Sequence, residues 1–225
     1  MVHQVNKKKH QGVFIDALIL TIVMILLGFS WGFYIEFSRT NKVIENYRNF
    51  EIEALDLKLQ NYYYQIMDET TCKEAIEQNF IFADDLYESG LEIERYEEAS
   101  QITEDIKREK NRYVLLKTEL WLNTILLKEK CNAKFDTIVY LYENDPKNNA
   151  KVSEQKIISN VLENIKEEKG NQIILLPIAG NLDLNVVNLQ TRIYGVNSLP
   201  SIIINEKTVL EGFHSEEDIK SYLKN

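Results

Sequence analysis

Residues 17–35 read ALILTIVMILLGFSWGFYI, nineteen positions with no charge and no proline. A helix rising 1.5 Å per residue would reach roughly 28 Å over this run, close to the ~30 Å hydrocarbon core of a bilayer. Taking in Val13, Phe14 and Ile15 gives a span over 13–35, with Asp16 near one interface. Trp31, Phe33 and Tyr34 gather at the other end, as an aromatic belt does. A cleaved signal peptide has an apolar core of roughly 7–15 residues followed by small residues at the cut. This core is longer and ends in bulky aromatic groups. The expectation is an uncleaved signal-anchor in contact with lipid over 13–35.

Charge sets its direction. Lys7, Lys8 and Lys9 stand beside His3 and His10 on the short side, while Arg39, Lys42 and Arg48 on the far side are offset by Glu36 and Glu45. Clustered cations next to a first helix favour the N-terminus inside. Residues 1–12 are then a cytoplasmic tail, and everything after 35 lies outside a single-pass cell membrane protein. Gly28 and Gly32, four apart, put two small residues on one helix face, a surface through which a homo-oligomer forms; membrane helices also tolerate glycine without pairing.

The formal charge is −9. Three Lys and Asp16 give residues 1–35 a net +2, so the rest of the chain carries −11. An acidic body repels phosphates, which excludes nucleic acid as a partner.

Residues 36–131 form the next region. From 36 to 145 there is no Pro, and Gly90 is the one Gly, so long helices are permitted. Val43, Ile44, Tyr47, Phe50, Leu55, Leu59, Tyr62 and Ile66 recur at helical spacing. Asp68, Thr70 and Thr71 signal a start for a second helix over about 70–89, which Ser89 and Gly90 punctuate. Ser100 opens a third pattern through Ile102, Ile106, Tyr113, Leu116, Leu120 and Leu127. The expected form is an antiparallel helical hairpin or coiled-coil stalk standing on the anchor. Tyr62, Tyr63 and Tyr64 cannot form one stack, because adjacent helical residues diverge. Asp84 and Asp85 read as a solvated face for the same reason.

Residues 132–225 change character. FDTIVYLY at 135–142 is a β-branched and aromatic run, hence a strand. Helical periodicity follows over 152–168, ending at Gly170. A second strand is expected at 173–179, a helix at 183–194, and two strands across GVNSLPSIIINEKTVLEG with a turn around Asn205–Lys207. Ser215 through Asp218 forms a capping-box-like start for a last helix. The order β-α-β-α-β-β-α predicts a parallel βαβ unit closed by an antiparallel hairpin.

That order, together with Val196, three residues, Pro200, an apolar strand and Gly212-Phe213, resembles the thioredoxin family over about residues 133–225. Asn181 to Asp183 is similar to the polar turn after that family's second strand. The resemblance implies an α/β thioredoxin-like domain behind an N-terminal transmembrane helix and a helical stalk, an arrangement similar to membrane-anchored thioredoxin-fold proteins of small-genome archaea. It also implies that Pro200 is cis. The departure is in the chemistry. Redox members carry C-x-x-C after the first strand, at a helix N-terminus that lowers the thiol pKa. Here the region is Tyr142-Glu143-Asn144-Asp145-Pro146-Lys147-Asn148-Asn149-Ala150-Lys151-Val152, without sulfur. Thiol–disulfide exchange needs a sulfur, so no catalytic residue is assigned.

The two cysteines lie elsewhere. Cys72 begins the second helical segment and Cys131 closes the third. If those segments run antiparallel, the two meet, and outside the membrane a disulfide is permitted. Closing a loop of about 60 residues would stabilise by roughly 4 kcal/mol in the chain-entropy model. The other reading is a pair of reduced, buried thiols. His3, His10 and His214 share no helix face, and no phosphate loop or nucleophile elbow occurs, so neither metal nor cofactor is expected. The functional expectation is a membrane-anchored, redox-inactive holder or scaffold. It binds an extended extracytoplasmic polypeptide along Leu199, Pro200 and Ser201 by strand addition. The alternative is a thiol–disulfide oxidoreductase, or its accessory, using Cys72 and Cys131 or a partner's cysteines.

Overall fold

The computed structural model describes residues 15–35 and 37, seven helical positions between 52 and 65, and 71–224 except 100–103, 145 and 146. The tail 1–12 with its lysines, the start signal at Asp68 and Thr70, Tyr63, Tyr64, Ser100, and the loop positions Asp145 and Pro146 lie outside the described residues.

Helix α1, Ile15–Ile35, is long and apolar enough to cross a membrane. Two of its hydroxyls bond within the helix: Thr21 Oγ1 donates to Ala17 O and Ser30 Oγ to Leu26 O, each at 2.8 Å. In hydrocarbon such internal pairing removes the cost of burying a hydroxyl.

The second part of the chain is built on two long helices and a four-stranded mixed sheet. Helix α2 is Cys72–Ala99 and α3 is Glu104–Cys131. Strand β1 is Asp136–Tyr142, α4 Asn149–Lys169, β2 Ile173–Ala179, α5 Asn185–Ile193, β3 Ser201–Ile204, β4 Thr208–Glu211 and α6 Glu216–Ser221. The sheet order is β2-β1-β3-β4. β1 and β2 are parallel with Asp136 opposite Ile173; β3 runs antiparallel to β1, with Leu141 opposite Ser201; β4 runs antiparallel to β3.

Local signals explain the boundaries. The Asn148 side chain caps α4 by accepting from Ala150 N at 2.9 Å. Gly170 ends that helix at φ +54°, a conformation costly for any residue with a Cβ. Ser215 caps α6, accepting from Asp218 N at 3.2 Å. Asn205 and Glu206 turn the β3–β4 hairpin with positive φ of 51° and 56°, the left-handed pair that matches strand twist.

Strand alternation divides the core. One face sends Ile138, Tyr140, Ile173, Leu175, Ile202 and Ile204 against Ile158, Leu162 and Ile165 of α4 and Ile219 of α6. Each such fully buried side chain contributes roughly 1.5–3 kcal/mol. Thr137, Val139 and Leu141 point the other way, where α3 and α5 lie. The sequence separates a stalk over 36–131 from a domain over 132–225. In space α2 and α3 pack against β2 and shield that edge strand. Phe80 of α2 meets Phe135 edge-on at 4.9 Å, and Asp84 pairs with Lys166 of α4 at 2.9 Å. Asp84 is therefore an inter-helix partner and not a merely solvated carboxylate.

Gly90 also differs from expectation. It does not end the second helix; α2 runs through it to Ala99. A Cβ there would stand 2.0 Å from the Tyr113 hydroxyl, which donates to Leu86 O at 2.5 Å. The glycine admits the crossing tyrosine.

Candidate binding site at the proline loop

The carboxyl ends of β1 and β2 and the loop entering β3 meet at one end of the sheet, the end where open α/β sheets place ligands. The Leu199–Pro200 peptide is cis. Pro200 is buried, and its carbonyl accepts from Gly212 N at 2.9 Å. Ser201 is fully buried as the first residue of β3, and its hydroxyl donates to Ser198 O at 2.6 Å. Of the three residues named from the sequence, Ser201 is paired with Leu141 and Glu211 on its two sides and Pro200 has its carbonyl taken, which leaves Leu199.

Leu199 is seated by a neighbour that the sequence reading passed over. Its two terminal methyls lie 3.0 and 3.1 Å from where a Cβ on Gly180 would be. Gly180 continues the β2 end by donating to Tyr142 O at 2.8 Å. With the side chain turned in, the backbone N–H and C=O of Leu199 make no hydrogen bond to any described residue.

Glu211 of β4 holds the preceding loop. Its carboxylate accepts from Asn197 N at 3.0 Å, Asn197 Nδ2 at 3.2 Å and the Ser198 hydroxyl at 2.9 Å. These donors, the Asn197 backbone N–H first and the Ser198 hydroxyl next, pull its pKa below the ordinary carboxylate value.

The loop after β1 is pinned from both sides. Gln155 of α4 accepts from Glu143 N at 2.7 Å and donates to Glu143 O at 3.0 Å. Asn181 accepts from Asn144 N at 2.7 Å and returns a bond to Asn144 O at 3.0 Å. Lys151 pairs with Glu143 at 2.5 Å. The described groups that tie this loop are amides, a carboxylate and an amine, without a sulfur. Two large apolar groups stand in water nearby in the chain: Phe213, directly after Gly212, and Val152 in the first turn of α4, 53% and 45% exposed.

Cys72 and Cys131 are joined, with S–S 2.01 Å and Cα–Cα 5.6 Å. The bond clasps the start of α2 to the end of α3. One turn before Cys131, Lys128 Nζ donates to Thr137 Oγ1 at 3.1 Å and to Asn205 Oδ1 at 2.9 Å, which fixes this end of α3 to the beginning of β1. Four steps of ~3.3 Å along β1 put about 13 Å between Thr137 and Leu141, which pairs with Ser201. The sulfurs and the proline loop therefore occupy opposite ends of the sheet.

The Lys128 cluster carried no sequence signal. Lys128 also pairs with Glu206 at 3.0 Å, and Trp121 Nε1 donates to the same carboxylate at 3.3 Å. Trp121 stacks on Tyr194 at 5.2 Å. Burial, then the nearby charges of Glu206 and Glu129, push the Tyr194 phenol above its usual range. Fully buried Asp136 accepts from Asn205 Nδ2 at 2.6 Å and from Lys224 N at 2.9 Å. Among the described residues no group of three His, Cys, Asp or Glu is placed to hold a metal ion.

Compared with family models, curated proteins and solved structures, the chain matches none.

Proposed function

We propose that residues 132–225 are a thioredoxin-like domain without the redox cysteines, which holds extended polypeptides at the proline loop through the backbone of Leu199, ahead of Pro200 and Ser201. In this reading 13–35 anchors the chain in the cell membrane, with 1–12 in the cytoplasm and the remainder outside. The element order, the strand order β2-β1-β3-β4 and the cis peptide at the head of β3 support the fold assignment. The observation that carries the function is the backbone of Leu199, which makes no hydrogen bond to any described residue, beside buried Pro200. A donor and an acceptor on one residue are what an incoming strand pairs with, and such pairing reads main chain, so it needs no cysteine. A further support is that the disulfide closes the helix end tied to Thr137 at the start of β1, whereas this loop pairs at Leu141 near its finish.

The test uses the full chain in phosphatidylcholine vesicles and, as probe, reduced and carboxymethylated lactalbumin, a permanently unfolded polypeptide. Leu199→Glu and Pro200→Ala should each weaken capture about tenfold, the equivalent of roughly 1.4 kcal/mol. Capture unchanged in both variants discards the proposal. Insulin reduction provides the second arm, with no turnover expected. Turnover that disappears with Cys72→Ser would move the assignment to a thiol–disulfide oxidoreductase.

A further inference from the structure

Between α1 and α2 the described positions are Ile52, Leu55, Asp56, Lys58, Leu59, Tyr62 and Gln65, all α-helical. Ile52, Leu55, Leu59 and Tyr62 follow one another at steps of three, four and three, the a/d spacing of a coiled-coil seam. They are 66%, 56%, 65% and 56% exposed. Lys58, on the flank of this row, reaches Glu119 of α3 at 3.9 Å. The chain thus meets its own helix by the flank and leaves the apolar row in water. On α3, Leu115 and Leu122 share the helix face of Glu119 and are 43% and 40% exposed.

We propose that a second copy of this chain covers the row, parallel and in register. A three-four seam is complementary to another seam of the same spacing, and an identical chain supplies one. Identical copies anchored through 13–35 all stand the same way up in one plane, which brings the same turn of each to the same height. That step rests on the anchor reading above. A lipid surface is the poorer fit: Glu51, Glu53 and Asp56 border the row in sequence, whereas helices that lie on lipid carry Lys and Arg there. At roughly 100 Å² each, the six exposed side chains amount to about 1,200 Å² for a pair, the lower end of specific interfaces. Such a contact is weak between free chains and is completed by the raised effective concentration of tethered ones. This surface is distinct from the Gly28/Gly32 face of α1.

The experiment places a benzophenone amino acid at Leu55 or Leu59 of the full chain in phosphatidylcholine vesicles, with Ile193, also exposed, as control position. Irradiation should give adducts of twice the chain mass at 55 and 59, at least fivefold above those at 193. With the probe at 55, Leu59→Glu should remove them while the far-UV circular dichroism stays the same. Adducts confined to lipid, adducts to α3 of the same chain, or equal yield at 193 each overturn the proposal. Alkaline carbonate extraction separates the two layers of the argument. A chain washed off the vesicles refutes the anchor and with it this inference. A chain that stays but gives no dimer adduct refutes the seam alone.

Discussion

The two ends of β1 are held by different physics. At its start, buried and half-buried groups are cross-tied: Lys128 to Thr137, Asn205 and Glu206, Trp121 to Tyr194 and Glu206, Asp136 to Asn205 and the Lys224 amide, with the Cys72–Cys131 bond a turn away. At its finish, the ties run between half-buried or exposed polar groups: Asn144 with Asn181, Glu143 with Gln155 and with Lys151, whose pair is twice as exposed as Lys128–Glu206, and Glu211 with the 197–198 loop. Charge-assisted bonds shielded from water are the strong ones, and exposed polar bonds exchange readily with solvent. Stability is therefore concentrated at one end. The other leaves the Leu199 backbone without a partner among the described residues.

Breaking the strong end should cost most. Trp121 is 1% exposed, stacks on Tyr194 and donates to Glu206. Trp121→Ala is expected to remove about 3–5 kcal/mol, read as a fall in the urea midpoint. A loss below about 1 kcal/mol would mean that α3 is not held to the sheet there. Next is the disulfide. Cys72→Ser should cost up to about 4 kcal/mol by freeing a 59-residue separation in the unfolded chain. Non-reducing mass spectrometry of the native chain should find it two hydrogens lighter than the reduced form. Two alkylatable thiols would remove the covalent tie from the comparison.

How much of this asymmetry the sequence discloses depends on the kind of interaction. The α/β order is legible because β-branched runs and helix caps act locally: Asn148, Gly170 and Ser215 do their work within a few residues. The cis Leu199–Pro200 peptide is legible through the family resemblance that Val196 and Pro200 carry. Cys72 and Cys131 are legible once two helices are taken as antiparallel. The joint between α3 and the sheet is not. Lys128 and Glu206 are 78 residues apart, and each alone resembles a solvated surface charge. Gly90 misleads for the same reason: the tyrosine that requires it comes from another helix. Gly180 and Glu211 escape notice because their partners lie across loops, although a glycine directly after the apolar run 173–179 was the available hint.

Changes at the open end should be milder for stability and sharper for binding. A Cβ on Gly180 would press the Leu199 methyls at 3.0 and 3.1 Å, tighter than side chains normally pack. The methyls end a flexible side chain and can give way, so Gly180→Ala should cost only about 1 kcal/mol. The displaced Leu199 carries the edge with it. Capture of the unfolded probe should fall by a larger factor than the urea midpoint suggests. A variant that captures normally would separate the seat of Leu199 from the binding edge.

The smallest effect sharpens the comparison most, because it concerns a single carboxylate. Glu211 holds Asn197 and Ser198, and those donors lower its pKa from 4.5. A carboxylate with a depressed folded value contributes its tie above the unfolded pKa and loses it as pH falls through the folded one. The 195–199 loop should therefore stay ordered at neutral pH and loosen in the acid range below 4.5, while the buried ties at the far end of β1 persist. Amide signals of Asn197 and Ser198, followed by NMR in the full chain in micelles, should report one proton, and their exchange should quicken on the acid side. In Glu211→Gln the step should vanish, with one acceptor oxygen retained and the loop slightly looser at every pH. A step that survives the substitution would assign the titration to another group, and signals that ignore pH would leave the loop held by backbone bonds such as Val196 N to Thr191 O.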